Sequence, residues 1–254
     1  MAFPPQTPWA SGPGEILRHG LELLKKDSDV NRRLALISID NSVELMIKTF
    51  LSLPKRITAL DISRKQLQEI GESFPSLLDA LERHAPEKLT GIDLGVIEWY
   101  HRLRNELYHQ GNGLTVERDK VEVYAEIANV LFRNLFGAAL IKESSKKTEL
   151  LGAFLYAWGD IEQGLINIID THMAVTGAHL SRHGNLQQRL DAILRSGVMN
   201  TDDLHVVEKL RQIRNRAVHA EEGWETELTT EVLEQAEALA RRVAAYARHS
   251  PRGG

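Results

Sequence analysis

Two short stretches of the chain carry an arginine, an asparagine and a histidine at the same spacing. They read RNELYH at residues 104–109 and RNRAVH at residues 214–219, so both fit Arg-Asn-x-x-x-His. On a helix the asparagine and the histidine share a face, and the long arginine side chain can reach the same patch. A guanidinium binds phosphate oxygens in a fork, and an imidazole exchanges a proton near neutral pH. The pattern therefore indicates chemistry on a phosphate ester.

These residue types suit cleavage of a phosphodiester by its neighbouring 2′-hydroxyl. The reaction needs a base for the 2′-OH proton, an acid for the departing 5′-oxygen and a cation for the extra charge on phosphorus. One motif supplies one histidine, whereas two motifs that line one cleft supply both. We therefore expect His109 and His219 to act as base and acid. Arginine then stabilises the phosphorane, and asparagine donates to a phosphate oxygen or fixes the imidazole tautomer; these residues are Arg104, Arg214, Asn105 and Asn215.

The motifs belong to a longer internal repeat. Residues 93–113 align with residues 203–223 at an offset of 110, with eight of 21 positions identical, and their apolar stripes coincide. Upstream, each half has a glutamate on an apolar helical background, Glu44 in NSVELMIK and Glu162 in GDIEQGLI. Downstream, each half closes with another long helical segment. The chain is therefore predicted to be a tandem duplication of one helical unit.

Apolar residues recur every three or four positions from residue 15 onward, which is typical of amphipathic helices, and the alternation of strands hardly occurs. The fold class predicted is all-α. Helices are expected at 15–26, 30–53, 64–84, 93–110, 119–142, 149–172, 186–195, 202–220 and 230–248.

Proline and glycine set the expected domain limits. Four of the eight prolines lie in the first 14 residues, so residues 1–14 are predicted to be a flexible tail that is neither helix nor strand. The two helical domains are expected at residues 15–143 and 144–250, and residues 251–254 form a second flexible tail.

The chain after residue 15 resembles the HEPN superfamily (higher eukaryotes and prokaryotes nucleotide-binding), once in each half. The likeness rests on the four- to five-helix unit, the early glutamate and the two intact Arg-Asn-x-x-x-His motifs. It implies two tandem HEPN-like bundles that form an internal pseudo-dimer. It also implies a metal-independent endoribonuclease without a cofactor, leaving 2′,3′-cyclic phosphate and 5′-hydroxyl ends. Such proteins act as toxins or antiviral effectors, so the implied partners are RNA (for example tRNA), an antitoxin or defence-complex protein, and a second copy.

Three other readings remain open. The arginine and histidine of each motif would also serve as helix caps that bind backbone carbonyls. A catalytically silent module would bind RNA or a nucleotide, or act as a scaffold, and the net charge of −4 fits this slightly better than a stand-alone nuclease. An effector that waits for a partner or nucleotide to rearrange its bundles would carry the same residues.

Residues around the motifs have both a functional and a structural reading. Arg102, Arg211 and Arg216 would contact RNA phosphates or lie on a solvated face, and Tyr108 would stack on a base or belong partly to the core. Glu44 and Glu162 would orient the arginines or form ordinary ion pairs; Lys48 is the expected partner of Glu44. His179 and His183 have metal-ligand spacing without an evident third ligand, so no metal site is predicted.

The composition of the chain and the motifs it lacks exclude several classes of protein and of functional site. The chain has no cysteine, which removes disulfides, thiolate nucleophiles and cysteine-bound metals. Its first residues lack the pattern of a signal peptide, and no apolar run approaches the roughly 18 residues needed to span a bilayer, so a cytoplasmic location is expected. No nucleotide-binding glycine loop, nucleophile elbow or zincin motif is found.

Overall fold

The computed structural model describes residues 8–109, 115–137, 146–176 and 186–248. Within these ranges the chain is all-α and contains no strand, which confirms the predicted fold class. No described helix is both long and apolar enough to cross a membrane. The α-helices are α1 (Ser11–Lys25), α2 (Asp29–Ser52), α3 (Lys55–Thr58), α4 (Arg64–Ile70), α5 (Phe74–His84), α6 (Leu94–His109), α7 (Arg118–Phe136), α8 (Lys146–Thr176), α9 (Leu186–Ser196), α10 (Thr201–Val218), α11 (Trp224–Glu227) and α12 (Thr230–Arg248).

The chain divides into two compact units. The first comprises Met1–Thr148 together with Val218–Ala220, and the second comprises Glu149–Ala217 and Glu221–Gly254. The domain boundary expected at residues 143 and 144 lies outside the described residues. The second motif is thus divided, because Arg214 and Asn215 belong to the second unit and His219 belongs to the first.

In the first unit, α2 is the central helix. It is packed against α1, α5, α6 and α7, and its apolar stripe is fully buried, as at Ile39, Val43 and Ile47. Helix α1 packs tightly on α2 at Gly20, where a Cβ would lie 3.0 Å from the Ile39 side chain. Ser28 caps the start of α2 by accepting a hydrogen bond from the Asn31 amide.

The predicted flexible tail is wrong for residues 8–14. A 3₁₀ turn spans Pro8–Ala10 and α1 begins at Ser11, so Pro13 lies in the first turn of that helix. Proline is tolerated there because the amides of the first turn have no intrahelical acceptor. Its carbonyl accepts a 2.7 Å hydrogen bond from the Ser42 hydroxyl, which ties α1 to α2. Residues 1–7 and 251–254 of the predicted tails lie outside the described residues.

The helix predicted at 64–84 is two helices. Helix α4 ends at Ile70, and α5 starts afresh at Phe74, where the Ser73 side chain caps it by accepting from the Ser76 amide. Helix α7 ends at Phe136, because Gly137 adopts the left-handed conformation (φ 71°) that closes helices. The other predicted helices are found with ends shifted by a few residues.

In the second unit, α8 and α12 pack closely. A Cβ on Gly164 would lie 2.6 Å from a methyl carbon of Val243, so glycine permits this approach. Helices α10 and α12 are joined by Asp203, whose buried carboxylate accepts from the Arg242 guanidinium (2.8 Å) and the Tyr246 hydroxyl (3.1 Å). Asn200 caps the start of α10 by accepting from the Asp203 amide.

Candidate active site

Each motif lies at the carboxyl end of its helix, as predicted. His109 is the last residue of α6, and His219 directly follows Val218, the last residue of α10. After His219 the chain turns at Ala220, whose φ is 47°. Both imidazoles therefore lie at a helix end, where the backbone does not crowd them on every side.

Within each motif the asparagine binds the arginine. The Arg104 Nη1 donates to Asn105 Oδ1 at 2.8 Å, and Arg214 Nη1 donates to Asn215 Oδ1 at 3.1 Å. The amide oxygens thus orient the guanidinium groups. Neither Asn105 nor Asn215 uses its Nδ2 as a donor to any described residue, so this amide nitrogen can still donate to a ligand. The asparagines play a positioning role toward arginine, which the sequence reasoning had not assigned.

Arg104 is held from a second direction by α2. Its Nη2 donates to Asn41 Oδ1 at 2.6 Å, and its Nε lies 3.4 Å from Asp40 Oδ2. The guanidinium is therefore fixed between α2 and the last turn of α6. A fixed guanidinium needs little reordering to bind an anion.

Asp40 is the centre of a buried polar network that the sequence reasoning missed. Its side chain is fully buried, and its Oδ1 accepts from the Tyr124 hydroxyl at 2.8 Å while its Oδ2 accepts from His101 Nδ1 at 2.9 Å. The His101 ring stacks on Phe74, with ring centroids 3.9 Å apart. Burial, followed by the Asp40 charge, raises the pKa of Tyr124 well above its ordinary value, so this hydroxyl remains a donor. The signal in the sequence is a carboxylate inside the apolar stripe of α2.

A stacked pair of tyrosines extends this network. Tyr100 and Tyr124 lie face to face with centroids 4.3 Å apart, and burial raises the pKa of Tyr100. The Tyr100 hydroxyl donates to the carbonyl oxygen of Val218 at 3.0 Å, and both residues belong to the first unit. The residue preceding the second motif's histidine is thus held by a buried hydrogen bond.

The two histidines have different surroundings. His109 is exposed and meets Tyr108 edge on at 5.4 Å. The Tyr108 ring is 64% exposed and lies 5.7 Å from the Arg104 guanidinium, an arrangement that leaves a face open for a stacked base. His219 is half-buried and meets Trp99 edge on at 5.0 Å.

The two glutamates that precede the motifs, Glu44 and Glu162, have different surroundings in the structure. Glu44 pairs with Lys48 at 2.5 Å, which confirms the ion-pair reading and the predicted partner. The carboxylate that lies beside Arg104 is instead that of Asp40, one turn before Glu44 on α2. Glu162 is half-buried on α8, and its proposed action on Arg214 stays a prediction.

The flanking arginines also differ from one another. Arg102 is 65% exposed and lies 3.8 Å from Glu98, so it keeps most of its surface for an anion. Arg211 forms a two-pronged pair with Glu208, which lowers the pKa of that carboxyl, and Arg216 pairs with Glu227 at 2.6 Å. Of the three, Arg102 is the most exposed. His179 and His183, the alternative metal ligands, lie outside the described residues.

The second half of the chain matches the model of a known protein family. A family described as a domain of unknown function, DUF4145, matches residues 166–251, a stretch that includes the second motif. No curated protein and no solved structure matches the chain.

Proposed function

We propose that the chain is a metal-independent endoribonuclease built from two HEPN-like bundles that form an internal pseudo-dimer. The observation that carries the proposal is the duplicated Arg-Asn-x-x-x-His motif, in which each asparagine orients its arginine at a helix end. An arginine oriented in this way supplies a phosphate ligand, and the histidine of the same motif supplies a proton carrier. A role as a toxin or antiviral effector follows from the family resemblance.

The proposed reaction forms one bond to phosphorus and breaks another. One histidine takes the 2′-hydroxyl proton as O2′ attacks phosphorus, and the other gives a proton to O5′ as the P–O5′ bond breaks. The products are a 2′,3′-cyclic phosphate and a 5′-hydroxyl. Arg104 and Arg214 stabilise the charge on the pentacoordinate phosphorus, and the Nδ2 groups of Asn105 and Asn215 donate to its oxygens.

The experiment is an RNA cleavage assay in EDTA with analysis of product ends. Purified protein is incubated with total tRNA and with a structured RNA, beside Arg104→Ala/His109→Ala and Arg214→Ala/His219→Ala variants. Cleavage that leaves cyclic phosphates and is lost in both variants supports the proposal. An exposed arginine far from the motif sequences gives the matched control, Arg248→Ala, which should cleave like the parent.

A second candidate function is a silent RNA- or nucleotide-binding module. It is favoured by the burial of Arg214, which is only 8% exposed, and by the amide and carboxylate partners that surround Arg104. An arginine occupied in this way stabilises its bundle without touching a ligand. RNA binding by a parent that does not cleave, and that persists in His109→Ala/His219→Ala, would favour this function.

A further inference from the structure

Among the described residues, one difference between the two repeats is the helix that covers the central helix. In the first unit α1 lies across α2 and α7. In the second unit α8 takes the place of α2 in the repeat and α12 that of α7. Only nine residues separate the end of α7 at Phe136 from the start of α8 at Lys146, too few for a counterpart of the 15-residue α1.

The uncovered position is a groove in the second unit. It lies between α8 and α12 and has a volume of about 580 Å³, and its lining on the α8 side includes Ala153, Tyr156, Ala157 and Asp160. When Glu44 is aligned with Glu162, these residues correspond to Ala35, Ser38, Ile39 and Ser42. In the first unit those residues include the ones that meet α1: Ala35, Ser38 and Ile39 at Gly20, and Ser42 at Pro13.

A comparison of residue burial on α2 and α8 shows which part of α8 lacks a covering helix. Every residue buried on α2 between positions 35 and 51 has a buried counterpart on α8, except at two positions. Ala35 and Ser42 are buried, whereas Ala153 and Asp160 are exposed. Both exceptions lie under α1 in the first unit, so the groove is the site of a helix that the second repeat does not supply.

The charges of the groove suit a second copy of the same chain. Glu237 and Arg241 lie one turn apart on α12 beside the small Ala240, and both are exposed. Among the described residues neither of them, nor Asp160, has an ion-pair partner. If two α12 helices pack antiparallel through their exposed faces, with the two-fold axis midway between Glu237 and Arg241, Glu237 of each faces the arginine of the other.

We infer that this groove binds α12 of a second copy, which takes the position that α1 has in the first unit. The result is a symmetric dimer in which each α12 covers the groove of its partner. The inference is independent of the proposed ribonuclease activity, because no motif residue takes part in it.

The test is sedimentation of the full chain over a range of concentrations. We expect a dimer in the micromolar range, of about the strength common among weak symmetric interfaces. Arg241→Glu places four acids together and should raise the dimer dissociation constant at least about tenfold. The double variant Glu237→Arg/Arg241→Glu restores opposite charges across the axis and should recover most of the affinity.

Controls separate this interface from any other. Lys65→Glu, at a site that is 87% exposed on α4, reverses a charge elsewhere and should leave the dimer unchanged. Since Arg241 is exposed, its reversal should not alter the circular-dichroism melting curve recorded well below the dimer dissociation constant, where both proteins are monomers. A chain that stays monomeric up to about 100 µM, or a dimer that Arg241→Glu leaves intact, would overturn the inference.

Discussion

At the scale of single residues, the arrangement around Arg104 depends on Asp40, a carboxylate that belongs to neither motif. Asp40 accepts from Tyr124 and His101 and neutralises Arg104, so three side chains from two other helices meet one buried group. Its counterpart in the second repeat is Trp158, so comparison of the repeats could not have found it. The motif residues themselves were predictable, because duplication marks them twice.

Asp40→Asn should lower the free energy of unfolding by about 2–3 kcal/mol. The substitution removes the charge that pairs with Arg104 and turns one acceptor oxygen into a donor, which faces the donors His101 and Arg104. Urea unfolding measures the change, with Asp79→Asn, an exposed position on α5, as the control. Equal stability of the two variants would contradict a stabilising role of the hydrogen bonds and ion pair at Asp40.

Alkaline pH should destabilise the first unit through its tyrosine pair. Burial raises the pKa of Tyr100 and of Tyr124, so both stay neutral in the folded chain, whereas in the unfolded chain they ionise near pH 10. Their contribution is therefore fully present below pH 10 and is lost as the pH rises above it.

The pH dependence of the free energy of unfolding shows whether the Tyr100 and Tyr124 hydroxyls cause this loss of stability. The two groups together should reduce stability by about 3 kcal/mol per pH unit above pH 10, measured by urea unfolding at pH 9, 10 and 11. Tyr100→Phe/Tyr124→Phe should be less stable than the parent at pH 8 but depend less on pH. An identical slope in parent and variant would show that other groups cause the loss.

At the scale of helices, periodicity predicted where most helices lie, and capping residues decided where they end. Ser73 starts a new helix inside the predicted 64–84 segment, and Gly137 ends α7. Proline misled the prediction at α1, because a proline in a first turn is compatible with a helix, whereas a cluster of prolines suggests none. Such ends depend on local hydrogen bonds that the apolar pattern does not contain.

Gly164→Ala should destabilise the second unit even though alanine favours helices. The added methyl would lie 2.6 Å from Val243, a branched and buried side chain that has little room to move. The overlap costs about 1–3 kcal/mol, against a gain of about 1 kcal/mol in helix propensity. Thermal unfolding should show a lower Tm than the parent. Gly12→Ala, whose Cβ would be 4.0 Å from Leu45, should not lower it.

Along the chain as a whole, the two aligned repeats have diverged. The Asp93 carboxylate caps the start of α6 by accepting from the Gly95 amide, whereas the aligned Asp203 lies in the first turn of α10 and binds Arg242. Arg104 and Arg214 also differ in their surroundings. Identical residues in an alignment of the repeats therefore need not share a role.

If both motifs serve one reaction, each histidine is required for it, and single histidine variants test this requirement. His109→Ala and His219→Ala are compared with the parent in initial rates of RNA cleavage in EDTA, after circular dichroism has shown that both fold. Loss of a general acid or base should slow cleavage by about 10²–10⁴-fold in each variant. A parental rate in either variant, with the other inactive, would contradict a shared reaction.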